Sequence, residues 1–270
     1  RWLSDGSIVS GNPVYTNFLW NELGRGIDLK NLESWLVNNQ DKVNELTSYV
    51  FATEAPKYND FFPRRINIEK AKRGQKLFLK TCSGCHGKYN KGWEDDSVTY
   101  TEQIATTKVW YHKKTPVIDI GTDPYRYEGM RYFAKDLNRL KISKTIGTIV
   151  SPQKGYVPPP LVGIWSRWPY FHNNSAPTLY DVITPDFNRP NSYIAVASVN
   201  KSTDFDMIKN GYPHPSKIRE PYKTDKKYYY NTKQRGLSNQ GHTNMLVDSN
   251  NKEIFTHSQK LELIEFLKTL

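Results

Sequence analysis

The chain has two cysteines, and both fall within one five-residue run, Cys82-Ser83-Gly84-Cys85-His86. Several chemistries use paired thiols at this spacing. A disulfide between them would close so short a loop that it would stabilise a chain of 270 residues little. A thioredoxin-like redox pair belongs in a strand–helix–strand setting that the flanking sequence does not offer. A zinc site would need further strong ligands at regular spacing, and there is no second cysteine pair. Covalent haem uses all three residues at once. Two thiols three positions apart add across the two vinyl groups of one porphyrin, and the histidine after the second is held under the iron as an axial ligand. One haem c is therefore expected on Cys82 and Cys85, with His86 as its proximal ligand.

Such a motif needs a rigid element to carry it. Ahead of it, Ala71, Gly74, Leu77 and Phe78 recur at helical spacing, which predicts a helix running into the cysteines. At the end of the chain, Thr256-His257-Ser258-Gln259 reads as a capping box, with Leu261, Ile264, Leu267 and Leu270 following on one helical face. These two helices are expected to cross, with Gly74 allowing the backbones to approach closely. Residues 1–55 read as a helical N-terminal segment, from Leu29, Leu32 and Leu36 and then Val43, Leu46 and Val50, with Asp41 available to cap the second helix. The run Pro56 to Pro63 reads as a linker into a haem domain over 56–270. Two long stretches interrupt that domain. The first, about 88–157, holds Trp93, Trp110, Tyr111, Tyr125, Tyr127, Tyr132 and Phe133, expected to wall the haem pocket or pack a lid. The second, about 185–256, is expected to fold over the distal face.

Lys and Arg number 38 against 27 Asp and Glu, a formal net charge of +11. These charges are scattered, with neither zinc-finger spacing nor a long basic helix, so a nucleic-acid module is not indicated. The expected partner is a redox protein, acidic or itself haem-bearing, drawn in by basic surface charge. No apolar run reaches the roughly 18–20 residues that span a bilayer. The sequence begins at Arg1 without a signal-peptide pattern, and reads as a mature or trimmed product.

Beyond the motif, the stretch from Tyr156 to Arg167 resembles the Pro-x-Leu-x-Gly-(Leu/Ile)-x-x-Arg segment of cytochromes c, matching at Pro159, Leu161, Gly163, Ile164 and Arg167. The resemblance implies that the Pro159 carbonyl accepts a hydrogen bond from His86 and that Arg167 meets a haem propionate. The next stretch, Trp168 to Ile183, resembles the Pro-Tyr-Phe-His-(Asn/Asp)-Gly-Ser-x-x-Thr-Leu signature of the di-haem cytochrome c peroxidase superfamily. Gly121-Thr122-Asp123-Pro124, Arg189-Pro190 and the ending Glu265 to Leu270 are most similar to its rubber-oxygenase-like branch. The likeness covers roughly residues 55–270. Asn174 stands where that signature has glycine, and one haem motif stands where the family has two, corresponding to the C-terminal haem. A mostly α, cytochrome c-type haem domain with long irregular loop insertions is the fold implied. Thioether attachment outside the bacterial cytoplasm implies a periplasmic or extracellular location.

The sixth ligand is read in the same light. His242, in Gly236-Leu237-Ser238-Asn239-Gln240-Gly241-His242, resembles the Asn-x-Gly-His segment that supplies the distal ligand in the rubber-oxygenase-like branch, with Met245 and His257 as alternatives. His112 and His214 read as solvated loop histidines. His172 is expected near the haem without ligating it. Trp165, Trp168 and Phe171 are expected to shield the porphyrin. Two histidines would close the iron and suit electron transfer. The rival expectation is the C-terminal haem part of a di-haem peroxidase- or oxygenase-like enzyme.

Overall fold

Helices supply most of the regular structure, and strands occur, among the described residues, only as three two-stranded antiparallel pairs. The computed structural model describes residues 8–9 (backbone only), 26–112, 116–145 and 147–270. Most of the expected helical segment before residue 26 thus lies outside the described residues.

The regular elements begin with β1 (Ile8–Val9), α1 (Leu29–Asn38), α2 (Gln40–Ala52) and α3 (Tyr58–Phe61). The haem motif lies between α4 (Ile68–Thr81), α5 (Ser83–His86) and β2 (Lys88–Lys91). Then come α6 (Tyr100–Ile104), β3 (Thr106–Trp110), α7 (Tyr125–Arg139), α8 (Lys141–Thr145) and β4 (Val150–Ser151). The remainder holds α9 (Leu179–Val182), β5 (Ser192–Ile194), β6 (Tyr229–Asn231), α10 (Thr243–Leu246) and α11 (His257–Leu267).

These elements fall into two compact units. One takes its described residues from 1–54, 115–119 and 124–158; the other consists of 55–112, 120–123 and 159–270. In the first, Asp28 caps α1 by accepting from the amides of Lys30 (3.0 Å) and Asn31 (3.1 Å). Leu32, Leu36 and Val43 are buried with Met130, Ala134 and Leu137 of α7 and with Ile142 of α8. Asn138 holds β4 by donating to the Val150 carbonyl and accepting from its amide, both at 2.8 Å. Two expectations fail here. Asn39, not Asp41, precedes α2, which has no side-chain cap, because the chain passes directly from α1 into α2. Leu46 and Val50 are exposed rather than buried, so the apolar stripe of α2 reaches the core only at Val43.

The second unit is organised by α4 and α11. Asn67 caps α4 by accepting from the Lys70 amide at 3.0 Å. The capping box of α11 is complete: the Gln259 amide donates to Thr256 Oγ1 (3.3 Å), and Gln259 Oε1 accepts from the Thr256 amide (2.9 Å). The helices cross so tightly at Gly74 that a Cβ there would lie 1.9 Å from the Glu262 carbonyl oxygen. Phe78 meets Phe266 just beyond, with ring centres 5.2 Å apart, and Arg73 Nε pairs with Glu262 Oε1 at 2.6 Å. Residues 56–63, expected as a linker, instead pack: Tyr58 is buried, and the Pro56 carbonyl accepts from Trp165 Nε1 at 2.7 Å. Aromatic side chains fill space here, which a reading of the prolines alone misses.

The expected insertion over 88–157 does not act as one lid. Its first part forms the β2–β3 hairpin of the second unit, with Tyr89 opposite Val109. Its later part forms α7, α8 and β4 of the first unit. Its aromatics divide accordingly, Trp93 being buried near Phe266 and Tyr127 against Tyr156, while Trp110 and Tyr132 are exposed. In β2, Lys91 is buried with its Nζ donating to the Thr269 carbonyl (2.7 Å) and to Thr106 Oγ1 (2.9 Å).

Two outcomes are expected. Gly74→Ala will destabilise the second unit by about 3 kcal/mol, the upper range for an overpacked core, because backbone rather than a flexible side chain blocks the methyl; chemical denaturation will measure it. Burial pushes the Lys91 ammonium down to about 7 from 10.5. Between those values the unfolded chain binds more protons at this side chain than the folded one, so its contribution to stability rises with pH. The unfolding free energy of the native chain relative to Lys91→Met is therefore expected to grow by more than about 1 kcal/mol between pH 7 and 10.

Candidate haem site

Helix α4 delivers the motif. Cys82 ends it and begins the single turn of α5, with the Cys85 and His86 amides donating to the Cys82 carbonyl at 3.1 and 3.0 Å. Gly87 follows at φ +78°, and a Cβ on it would lie 2.4 Å from the Trp110 carbonyl oxygen. Only glycine tolerates both that conformation and that approach. Cys82 and Cys85 are free thiols, and burial pushes Cys82 up to about 12, with the neighbouring Cys85 adding to the shift.

His86 Nδ1 lies 3.1 Å from the Pro159 carbonyl oxygen. A carbonyl only accepts, so Nδ1 carries the hydrogen and Nε2 offers its lone pair. Tyr89 braces the same turn: its hydroxyl donates to the His86 carbonyl (3.0 Å) and accepts from the Leu161 amide (2.7 Å). Leu161 is buried beside it. Arg167 is exposed and donates to the carbonyls of Val162 (2.7 Å) and Pro160 (3.4 Å), stiffening the segment that holds Pro159.

Opposite His86 stands His242. The ring centres are 6.4 Å apart, and the planes are 23° from parallel. A metal–imidazole bond is about 2 Å and a ring nitrogen sits about 1 Å from its ring centre, so an iron between two imidazoles separates their centres by about 6 Å. Burial pushes His86 below the usual imidazole range despite its bond to Pro159. Burial likewise pushes His242 down to about 3, with His86 and Arg189 adding to the effect. Both rings are thus neutral, the form in which imidazole binds metal. Among the described residues no group of three or more His, Cys, Asp or Glu gathers to hold an ion, and a haem brings four nitrogen ligands of its own to its iron. Two free thiols, one anchored imidazole and a second imidazole facing it fit that group.

The other candidates have different surroundings. His257 starts α11, is exposed, and pairs through Nδ1 with the Tyr180 hydroxyl at 2.9 Å. Met245 lies in α10, its amide donating to the His242 carbonyl at 2.9 Å. His172 sits half-buried in a turn closed by Tyr170 and Ala176, the Tyr170 amide donating across it at 2.7 Å. Asn174, in glycine's place, takes φ +64°, a conformation its short polar side chain tolerates better than most residues. Of the three aromatics expected as a shield, Phe171 stacks on His242, with centres 5.5 Å apart and planes 15° from parallel. Trp165 and Trp168 pack on Phe205, at 6.4 and 5.6 Å, in the same core that Phe171 and Cys82 pack against. His214 is exposed and paired with Ser216. His112 differs from its expectation: its Nε2 is buried, with no hydrogen-bond partner among the described residues.

His242 owes its place to side chains from three of the stretches that carry the resemblance, Thr122, Asn173 and Arg189. Its backbone is left-handed at φ +61°, its amide donates to the Ile120 carbonyl at 3.0 Å, and Thr122 packs against Gly241. Asn173 donates to the Ser238 carbonyl (2.8 Å) and to that of Gly236 (3.2 Å), tying the signature turn to the loop before His242. Arg189 donates to the carbonyls of Asn239 and Gly241 in the same loop.

Residues 155–194 match the model of the RoxA-like, cytochrome c-like family. This stretch is RoxA-like. The match contains Pro159, Arg167 and the signature turn, and it supports the resemblance to the rubber-oxygenase-like branch of the di-haem peroxidases. A cytochrome c-like match of this kind suggests haem c as the cofactor. The chain is 26% identical over 237 residues to the uncharacterized protein y4iM of Sinorhizobium fredii (strain NBRC 101917 / NGR234). That alignment takes in 77% of this chain and 50% of y4iM, so the chain spans about half the length of its relative.

Tyr89→Phe removes the acceptor of a buried amide in the RoxA-like stretch. It is expected to cost about 1–3 kcal/mol in denaturant unfolding, the penalty for a buried donor left unsatisfied.

Proposed function

We propose that the chain is a c-type cytochrome that carries one covalent haem and passes single electrons through an iron closed by two histidines. Cys82 and Cys85 would anchor the group, and His86 and His242 would hold its iron. The observation that carries this reading is the 6.4 Å separation of the two imidazole rings. The haem, when bound, supplies a one-electron couple; closed on both faces, it offers no position for peroxide or dioxygen. The protein's part is to orient and to desolvate. Pro159 fixes the tautomer of His86, Tyr89 fixes its backbone, and Phe171 covers His242. Arg167 has donor capacity beyond its two carbonyls for a propionate.

A redox protein presenting acidic groups is the partner proposed, since basic surface charge speeds encounter with anionic surfaces. Export to the bacterial periplasm or cell surface is proposed because thioethers are formed outside the cytoplasm. No helix among the described residues is long and apolar enough to cross a membrane.

A second reading is favoured by the relative's length. Because this chain spans half of y4iM, it also suits the haem-bearing C-terminal part of a longer di-haem enzyme of the peroxidase or oxygenase kind. Intact mass measurement of the native protein separates the two: one haem adduct on a chain of about 31.4 kDa supports the carrier, and two haems on a longer chain support the enzyme.

The ligand pair is tested by His242→Ala. The ferric spectrum is expected to change from six-coordinate low-spin to high-spin, and the ferrous form to bind CO. A spectrum that stays low-spin in the variant would remove His242 from the iron.

A further inference from the structure

The loop from Gly236 to His242 has no regular secondary structure to hold it, yet it must fix an imidazole in a left-handed backbone position. Arg189 lies behind it, 5% exposed. Every hydrogen bond found for its guanidinium ends on a backbone carbonyl. Nε reaches Thr184 (2.7 Å) and Asp181 (2.8 Å), at the end of α9. Nη2 reaches Gly241 at 2.8 Å and Nη1 reaches Asn239, the two residues that flank Gln240 immediately before His242. The Asp181 carboxylate is engaged instead by Thr178, whose hydroxyl (2.6 Å) and amide (3.1 Å) donate to it. The guanidinium carbon lies 4.9 Å from the centre of the Phe171 ring, and Phe171 stacks on His242.

We propose that Arg189 is the positioning residue for His242: it locks the loop to α9 and clamps the Phe171 ring onto the imidazole, so that the sixth position of the iron is closed by the protein's own histidine. The proposal rests on the ligation read above for His86 and His242. A planar fork can span carbonyls on two separate segments at once where a lysine, with one nitrogen at the end of a flexible stem, cannot. The same cation, buried two rings away from the iron, disfavours added positive charge there and so raises the potential of the couple.

The test compares the full-length haem-loaded protein with Arg189→Gln, Arg189→Lys and His242→Ala by ferric absorption spectroscopy and redox titration. Arg189→Gln is expected to show a high-spin fraction that the native protein lacks, to return to six-coordinate low-spin on addition of imidazole, and to have a lower midpoint potential. Arg189→Lys is expected to keep most of the potential while still showing the high-spin fraction. If Arg189→Gln keeps the native spectrum and potential while His242→Ala turns high-spin, Arg189 does not position the ligand and the proposal falls. If His242→Ala itself stays low-spin, the ligand assignment falls and carries the proposal with it. Should Arg189→Gln fail to fold, Arg189→Lys with an unchanged spectrum would overturn the proposal equally.

Discussion

The close crossing of α4 and α11 at Gly74 is the constraint on which the second unit hangs. With no carbon beyond Cα at that position, the two backbones meet, and the C-terminal helix is seated at a fixed distance from the helix that ends in Cys82. The end of α11 then organises the surroundings of His86 from two sides. The Thr269 carbonyl receives Lys91 from the hairpin that follows the motif. The Leu270 carbonyl receives the Gly163 amide at 2.8 Å, from the segment that carries Pro159. One helix terminus thus registers both strands of chain that bracket His86, and the Tyr89 hydroxyl joins those strands directly.

The opposite side is built on another principle. Where the His86 side relies on helix packing, the His242 side relies on side chains donating to main-chain carbonyls from Asn173 and Arg189, and on three non-glycine residues (Phe171, Asn174 and His242) in left-handed conformations. Such conformations persist only where the surroundings over-determine them. The density of carbonyl-directed donors around this loop supplies that determination, in place of the ladder that a strand or helix would have provided.

What could be read in advance follows the range of the interactions. The stripe of α4, the capping box of α11 and the haem motif are encoded within a dozen residues each, and periodicity or spacing reveals them. The approach of Pro159 to His86 spans more of the chain and was visible only through likeness to a known segment. Arg189 was visible only as half of an Arg-Pro pair in that likeness, with nothing to say what it holds, and Tyr89 was one tyrosine among 18 with nothing local to distinguish it. The packing of Tyr58 beneath Trp165 and the grouping of α7 with the N-terminal helices failed to register because each depends on a partner far along the chain. The net charge misleads for a related reason. Lys91, Arg189, Lys260 and Lys268 are buried, so part of the formal +11 acts on the interior rather than on a visiting molecule.

The facing imidazoles also have a bearing on the order of assembly. His86 sits in a turn that needs only its own helix to form, whereas His242 arrives from roughly 150 residues further on and must meet a loop-closure cost before its contacts repay it. On the function proposed, covalent attachment at Cys82 and Cys85 could be finished on a partly folded chain, with one face of the porphyrin still open. His242 would then close over a group already in place, and the cofactor would serve as a template for the loop that carries it.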